Sequence, residues 1–236
     1  MWGVTFGGYL AKILSFKSGN LLYKSNFYLL SEATVLPGSP RAIKGKSAWM
    51  QLERLGIVRK VDPAEANTYT SALHFAPKSD GSLRPVGDYR QLNLRTELDL
   101  YPLPHLRDFA QDIGGCKIFS RVDLVKAFHQ IIIDKRDHFK TCLATPWGLY
   151  NFKRLSMGMR NSAQSFQRMV DSVLSGLNNT YCYLDDILVY SHTPQEHLRT
   201  LDLLFKHLAD AGLSIALDKC LFGADSLDYL GYSPIG

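Results

Sequence analysis

Two adjacent acidic residues interrupt a strongly apolar run of the chain. Asp185 and Asp186 stand between Tyr181-Cys182-Tyr183-Leu184 and Ile187-Leu188-Val189-Tyr190, and both flanks are rich in β-branched and aromatic residues. Such flanks around a short break are typical of a β-hairpin, and Asp accepts the left-handed backbone of a two-residue turn. The sequence therefore predicts a tight hairpin with both carboxylates at its tip. Two interpretations stay open: a turn that simply uses Asp as a turn former, and a cation site.

A third acidic residue favours the cation site. Asp123 follows the β-rich run Ile118-Phe119-Ser120-Arg121-Val122, and we expect its carboxylate beside the hairpin tip. Two carboxylates about 4 Å apart repel by roughly 4 kcal/mol at an effective dielectric constant near 20, so three converging ones need a compensating charge. Magnesium supplies such a charge. Two ions about 3.5–4 Å apart activate an attacking hydroxyl group and stabilise a leaving pyrophosphate in two-metal polymerases.

Eight blocks of the chain occur in a fixed order between residues 49 and 232. They are 55–59 (LGIVR), 77–93 (PKSDGSLRPVGDYRQLN), 101–104 (YPLP), 119–131 (FSRVDLVKAFHQI), 141–150 (TCLATPWGLY), 158–167 (GMRNSAQSFQ), 183–189 (YLDDILV) and 229–232 (YLGY). In this order the blocks resemble the reverse transcriptase of gypsy-type LTR retrotransposons, a relative of the retroviral enzyme.

The resemblance implies an α+β fold, the fingers and palm of a right-hand polymerase, with an antiparallel palm sheet backed by helices. It implies an RNA-directed DNA polymerase, a nucleotidyltransferase that adds dNTPs to a primer 3′-hydroxyl on an RNA or DNA template by two-metal phosphoryl transfer. The implied cofactor is Mg²⁺, with Mn²⁺ as a substitute. The alternative is a catalytically silent retrotransposon remnant that at most binds nucleic acid.

Relatives of this kind continue past the last block into a thumb and an RNase H domain. The chain is therefore expected to be truncated before the thumb and to make short products. A longer polyprotein copy is a possible source of the thumb and the RNase H domain.

Residue by residue, the resemblance assigns catalysis and metal binding to Asp123, Asp185 and Asp186. It assigns nucleotide binding to Lys78, Arg84, Phe128 and Gly158, and template or primer contacts to Arg90, Arg160, Gln164, Tyr183, Leu230 and Gly231. A planar guanidinium group at 84 suits phosphate oxygens, and a glycine at 158 lets nucleic acid approach the backbone closely.

Three of these residues have structural alternatives. Arg90 lies two residues from Asp88, so an ion pair within the fingers explains it equally well. Phe128, which the resemblance places under the nucleotide sugar, also suits the palm core. Gln164, like Gln167, also suits an ordinary polar position on an exposed helix face.

Charge and composition are compatible with a nucleic-acid partner. The net charge is +5, and residues 1–60 hold nine Lys or Arg residues against two Glu residues. Most basic stretches are solvated surface, so this charge balance alone does not establish a nucleic-acid partner. The four cysteines are widely spaced and lack the pattern of a zinc site.

The breaker-rich segment 36–40 (LPGSP) predicts a boundary between an unassigned N-terminal extension, 1–36, and fingers and palm, 37–236. No run approaches 18 apolar residues, and the N-terminal residues lack a signal-peptide pattern. We therefore expect no membrane partner and an intracellular location, in the cytoplasm or in virus-like particles.

Apolar spacing predicts four helices. They are 44–56, with Trp49, Leu52 and Leu55 on one face; 103–115; a helix with Phe166, Met169, Val170, Val173, Leu174 and Leu177 on one face; and one that starts near Thr193 and carries Leu198, Leu201, Phe205 and Leu208. Residues 71–90 predict a fingers hairpin with a strand through 73–76, a turn at 79–82 and a return segment that carries Arg84 and Arg90.

Overall fold

The computed structural model describes residues 35–62, 70–78, 80–105 and 113–235. The helices in these ranges are α1 (Pro40–Arg54), α2 (Arg90–Arg95), α3 (Ser162–Val173) and α4 (Pro194–Asp210). The strands are β1 (Val58–Lys60), β2 (Ser71–Pro77), β3 (Leu83–Asp88), β4 (Ile118–Asp123), β5 (Leu143–Thr145), β6 (Gly148–Phe152), β7 (Thr180–Tyr183), β8 (Asp186–Ser191), β9 (Leu221–Ala224), β10 (Leu227–Tyr229) and β11 (Tyr232–Ile235). Short 3₁₀ helices span Ala127–Gln130, Lys135–Thr141 and Leu217–Lys219.

The chain divides into two compact units, each with its own sheet. The five-stranded unit comprises the described residues of 35–99 and 131–162, in the strand order β1-β6-β5-β2-β3. The four-stranded unit comprises those of 100–130 and 163–235, with the order β7-β8-β4-β9 and a separate β10-β11 pair. The four-stranded sheet is antiparallel throughout, which confirms the predicted α+β class.

Some expectations fall on residues outside the described ranges. These are most of the N-terminal extension and most of the helix predicted over 103–115. The boundary near residue 36 stays a prediction. No helix among the described residues has the length and apolar character needed to cross a membrane.

Helix α1 begins earlier than its apolar spacing predicts. Ser39 caps it, because the Ser39 side chain accepts a hydrogen bond from the Ala42 N–H, and Pro40 occupies the first turn. Ser39 and Pro40, which the sequence predicts to be part of a boundary segment, thus start a helix. The prediction that Leu55 belongs to the buried face was wrong: Leu55 caps the C-terminus and is 51% exposed, whereas Trp49 is fully buried against Tyr150.

The predicted fingers hairpin is present. Strands β2 and β3 pair from Ala72 opposite Asp88 to Pro77 opposite Leu83. The Asp80 side chain accepts a hydrogen bond from the Ser82 N–H in the connecting turn. The return strand ends at Asp88, so Arg90 begins helix α2 and does not belong to the strand.

Pairing of β4 with β8 builds the centre of the four-stranded sheet. The register runs over six residue pairs, from Ile118 opposite Ser191 to Asp123 opposite Asp186. Strand β7 pairs on the other side of β8, ending with Tyr183 opposite Asp186. From Ile187 to Ser191, β8 is buried at every position, as expected for a central strand covered on both faces.

The hairpin between β7 and β8 differs in one detail from its prediction. Its two-residue turn consists of Leu184 and Asp185, and the left-handed residue is Leu184, with φ +55°. Asp186 is already the first residue of β8, so only one of the two carboxylates lies in the turn. A non-glycine residue in this region costs on the order of 1–3 kcal/mol unless the surroundings hold it there.

Gln167 on α3 holds the strained turn. Its Oε1 accepts a hydrogen bond from the Leu184 N–H at 2.8 Å, and its Nε2 donates to the Cys182 carbonyl at 3.0 Å and to Asp171 Oδ1 at 2.8 Å. The side chain is fully buried, which excludes for Gln167 the alternative of an ordinary polar position on an exposed helix face. The apolar stripe of α3 is confirmed at Phe166 and Met169, although the helix ends at Val173, before Leu177.

Helix α4 also buries a polar residue that the apolar pattern did not select. Its predicted start is confirmed, because Thr193 caps the helix and accepts from the Glu196 N–H. Leu198 is exposed, and His197 takes the inward position instead. The ring of His197 lies 2.7 Å from Ser120 Oγ of β4 and 3.1 Å from Ser191 Oγ of β8, and burial lowers its pKa.

We predict that Gln167→Met destabilises the fold by about 2–5 kcal/mol, because it leaves the Leu184 N–H and the Cys182 carbonyl buried without partners. Gln164→Met is the matched control on the same helix. Its Oε1 is buried without a hydrogen-bond partner, so its replacement should change stability by less than about 1 kcal/mol or raise it. Urea unfolding of both variants measures the difference. Equal losses would contradict the role given to Gln167.

We predict that acidification destabilises the chain through His197. Its pKa in the folded state is lowered, so the unfolded state binds more protons, and stability falls as the pH drops through the unfolded value of about 6.5. His197→Gln keeps a polar side chain without a titrating ring. Unfolding free energies compared at about pH 7.5 and about pH 5.5 should show a smaller pH dependence in the variant than in the parent. An identical pH dependence would exclude His197 as the source.

Candidate active site

The fold brings the backbone positions of the three predicted catalytic carboxylates together. Asp123 ends β4 directly opposite Asp186 at the start of β8, and Asp185 is the neighbouring turn residue. All three residues are half-buried. Two further hydrogen bonds fix the backbone, since the Asp123 carbonyl accepts from the Ala216 N–H and the Asp186 carbonyl accepts from the Tyr229 hydroxyl, each at 2.8 Å.

The electrostatics of this site are those of crowded negative charge. Burial raises the pKa of Asp186, and the neighbouring Asp185 and Asp123 carboxylates raise it further, while Arg121 and Lys219 act in the opposite direction. Lys219 Nζ lies 3.5 Å from Asp123 Oδ1. This ammonium group is 63% exposed, so it compensates the carboxylates only partly.

The donor set fits a hard divalent cation in charge and atom type, because carboxylate oxygens are the ligands that Mg²⁺ takes. The side chains are not pre-arranged as a cage: within the described residues, no group of three or more His, Cys, Asp or Glu side chains is placed to hold a metal ion. What the fold supplies is the backbone juxtaposition of Asp123, Asp185 and Asp186.

Phe128 lies on the 3₁₀ helix that follows β4. Its ring is half-buried and packs against the fully buried ring of Phe166, with 5.1 Å between the ring centroids. This contact supports a core contribution, and the exposed part of the ring leaves a surface on which another group can lie. The sequence left both roles open, and the structure is compatible with both.

Three of the residues predicted to contact template or primer lie on the two hairpins of this unit. Tyr183 is half-buried and pairs with Asp186. Leu230 and Gly231 form the β10–β11 turn, with φ +50° and +86°. The Tyr229 hydroxyl connects that second hairpin to the backbone of Asp186. Predicted contact residue Gln164 is half-buried on α3.

The predicted glycine loop belongs to the five-stranded unit. Gly158 has φ +86°, a conformation that other residues rarely adopt. Asn93 fixes the loop: its side chain donates to the Gly158 carbonyl at 2.8 Å and accepts from the Arg160 N–H at 2.8 Å. The Arg160 guanidinium group donates to the Asn93 carbonyl at 3.0 Å, so this predicted template contact is also a structural link.

The other basic residues of this unit differ in how they are bound. Arg90 forms a two-point ion pair with Asp88, at 2.8 and 2.6 Å, and this pair lowers the pKa of Asp88 to about 2. That is the structural alternative which the sequence left open. Arg84 is exposed and contacts the Met157 sulfur at 3.5 Å. Lys78 is exposed at the β2–β3 turn.

Three residues with evident roles were not selected from the sequence. Gln167 and Asn93 each lie inside a matched block, and the signal that identifies them is tertiary: one amide side chain that bonds two backbone groups of another segment. Lys219 lies outside the blocks, and its position 96 residues from Asp123 gives no local pattern.

Comparisons with known proteins agree with this arrangement. The family described as "Reverse transcriptase (RNA-dependent DNA polymerase)" matches residues 76–233. The retrovirus-related Pol polyprotein from transposon 297 of Drosophila melanogaster is 38% identical over 181 residues, which are 75% of this chain and 17% of that protein. The corresponding polyprotein from transposon gypsy of the same organism is 36% identical over 151 residues, 63% of this chain and 15% of that protein.

A solved structure of the foamy viral protease-reverse transcriptase in complex with double-stranded DNA matches with a TM-score of 0.75 and 26% identity. The match covers 84% of this chain and 36% of that one. It confirms the predicted fold of reverse transcriptase fingers and palm. The chain spans less than a fifth of the length of these two curated relatives. By its family match and its relatives, the chain belongs to the reverse transcriptase family and resembles the gypsy-type retrotransposon branch.

Proposed function

We propose that the chain is the polymerase core of a reverse transcriptase, which adds dNTPs to the 3′-hydroxyl of a primer by two-metal phosphoryl transfer. The observation that carries this proposal is the register of β4 on β8, which sets Asp123 opposite Asp186 with Asp185 in the adjoining turn. Phosphoryl transfer requires mainly positioning and charge neutralisation from the protein, and this register supplies positioned charge.

In the proposed reaction the three aspartates hold the metal ions. Bound Mg²⁺, for which Mn²⁺ can substitute, would activate the primer hydroxyl group and stabilise the charge on the departing pyrophosphate. Asp123 and Asp185 are the primary ligands, and Asp186 is a third carboxylate whose backbone is fixed by Tyr229. Lys219 balances part of the carboxylate charge beside Asp123.

Nucleotide binding is proposed for Arg84, Lys78, Gly158 and Phe128. The exposure of Arg84 supports its role, because its guanidinium group makes no ion pair with any residue that the structure describes and so has none there to break before it binds a triphosphate. Template and primer contacts are proposed for Arg160, Gln164, Tyr183, Leu230 and Gly231. Arg90 contributes there through its ion pair with Asp88, which holds the start of α2.

The proposed partners are an RNA or DNA template with its primer, and the proposed setting is intracellular. The two Drosophila relatives are named as Pol polyproteins. This supports a polymerase core that works within a longer product, or beside one that supplies the thumb and RNase H domain.

We predict that Asp185→Asn lowers the rate of single-nucleotide addition to a primed RNA template by roughly 10²–10⁴, because a positioned charge at the reacting centre is lost. Activity in the parent should require Mg²⁺ or Mn²⁺. Asp202→Asn is the control, since Asp202 is an exposed residue of α4. The amount of extended primer, quantified on a gel over time, measures the rate of addition by each variant. An Asp185→Asn variant as fast as the parent would refute the metal-ligand role, and a parent without activity would favour a silent remnant.

We predict that Phe128→Val admits ribonucleotides while dNTP addition falls only modestly. An aromatic ring against the sugar excludes the 2′-hydroxyl by steric clash, and a smaller side chain removes that clash. If Phe128 is only core, packed on Phe166, the variant should lose stability, by up to roughly 3–5 kcal/mol for a full truncation, without any change in selectivity. The ratio of dNTP to rNTP addition, measured with the melting temperature, separates the two. An unchanged ratio in a folded variant would refute the steric gate.

A further inference from the structure

The backbone around Asp123 is held by a segment that follows α4. This segment, 213–216, runs beside the end of β4 and bonds it at two points. The Ala216 N–H donates to the Asp123 carbonyl at 2.8 Å, and the Val125 N–H donates to the Ser214 carbonyl at 2.9 Å. An isolated antiparallel bridge lies between these two bonds. The pairing therefore continues past the last residue of β4 and includes the chain that leaves the candidate site.

One side chain, Gln130, bonds this segment to the residues after Asp123. Its Oε1 accepts a hydrogen bond from the Ser214 N–H at 2.8 Å. Its Nε2 donates to the Val125 carbonyl at 2.8 Å and to the Ser214 carbonyl at 3.1 Å. This set of partners matches the two N–H donors and the carbonyl oxygen of an amide. A hydrocarbon side chain of the same length would make none of these bonds, and a carboxylate could only accept.

Gln130 closes a turn with unusual backbone geometry. Lys126, next to Val125, has φ +48°, which residues with a side chain rarely adopt. From this residue the chain enters the 3₁₀ helix that carries both Phe128 and Gln130. The amide of Gln130 thus returns to the carbonyl directly before the left-handed residue. It fixes the conformation of the turn that joins Asp123 to Phe128.

We infer that Gln130 is a positioning residue, which sets the place of the Phe128 ring relative to Asp123. The inference rests on the proposed function, in which Asp123 binds a metal ion and Phe128 lies against the nucleotide sugar. Gln130 acts there through the backbone, because its amide bonds Val125 and Ser214. Phe128 follows Asp123 by five residues, so the conformation of one short turn decides how far the ring stands from a nucleotide bound at the aspartate.

Steric exclusion by the Phe128 ring is sensitive to small displacements. A misplacement of about 1 Å can cost a reaction about 10² in rate, and a ring that recedes by a similar distance no longer excludes a 2′-hydroxyl group. Phe166 packs against the ring on one side, with 5.1 Å between the centroids. Gln130 holds the backbone to which the ring is attached. Loss of the Gln130 amide should therefore relax the selection of the sugar.

The test compares Gln130→Met with Gln195→Met, the same exchange at an exposed position of α4. Methionine has nearly the length of glutamine but cannot donate a hydrogen bond. Gln130→Glu is a second variant, which keeps the acceptor for the Ser214 N–H and loses both N–H donors. It takes the place of Gln130→Met if the methionine variant does not fold, and the melting temperature of each variant is measured.

The first readout is amide hydrogen exchange of the 236-residue chain without metal or nucleotide. The amides of Val125 and Ser214 should exchange about tenfold faster in Gln130→Met than in the parent, because a lost hydrogen bond changes local opening by about that factor. The amides of β8 should exchange as in the parent, and Gln195→Met should match the parent throughout. A uniform increase over the whole unit would show a general loss of stability and overturn the inference.

The second readout is the ratio of dNTP to rNTP addition to a primed RNA template, measured below the melting temperature of every variant. Gln130→Met and Gln130→Glu should each lower this ratio by about tenfold, the scale on which contacts in a pocket discriminate substrates. Gln195→Met should keep the ratio of the parent. The ratio does not depend on how much of the protein is folded, so a purely structural role of Gln130 would leave it unchanged.

The two readouts separate failure of the inference from failure of the proposed function. Faster local exchange together with a lowered ratio supports Gln130 as a positioning residue. Faster exchange with the ratio of the parent overturns the inference and leaves the polymerase function standing. A parent that adds neither dNTP nor rNTP refutes the polymerase function, and the inference is overturned with it.

Discussion

The pairing of β4 with β8 is the constraint on which the candidate site depends. Residues on a strand alternate between the two faces of the sheet, so a shift of one residue in this register would move Asp186 and every later side chain of β8 to the opposite face. Burial along β8 from Ile187 to Ser191 prevents such a shift, because it would force the whole strand to repack. The apolar part of the hairpin thus fixes where its carboxylates lie.

Strain at the turn is the cost of that placement. With a two-residue turn between Tyr183 and Asp186, Leu184 must adopt a left-handed backbone, which glycine would adopt more easily. The side chain of Gln167 offsets the cost by bonding the backbone of Leu184 itself and of Cys182 just before the turn. The hydrogen bonds continue to Asp171, which also accepts from the Tyr101 hydroxyl at 2.7 Å. A helix and an extended segment of the same unit therefore support one strained residue.

Sequence reasoning succeeded where local pattern decides the structure. The apolar runs around Asp185 predicted the hairpin, the Ser-Asp-Gly-Ser turn predicted the β2–β3 pair, and the capping box at Thr193 predicted the start of α4. It failed where a polar side chain finds its partner on another element. An exposed helix face was one alternative for Gln167, and the apolar pattern did not select His197, yet both are buried because backbone or serine groups of strands satisfy them. The left-handed residue was misassigned for a similar reason, since pairing across the sheet, and not turn propensity, selects Leu184.

The negative charge of the three carboxylates is compensated only in part by the cationic side chains near them. Two cations act on Asp186, and one of them, Lys219, is mostly in water, where an ion pair contributes about 0–1 kcal/mol. Burial and the carboxylates of Asp185 and Asp123 still raise the pKa of Asp186, so the nearby cations compensate the negative charge only in part. The same register brings the backbone positions of the three aspartates together, as the proposed metal binding requires. The buried β8 strand and the turn bonded by Gln167 thus hold negative charge in place for the proposed metal binding.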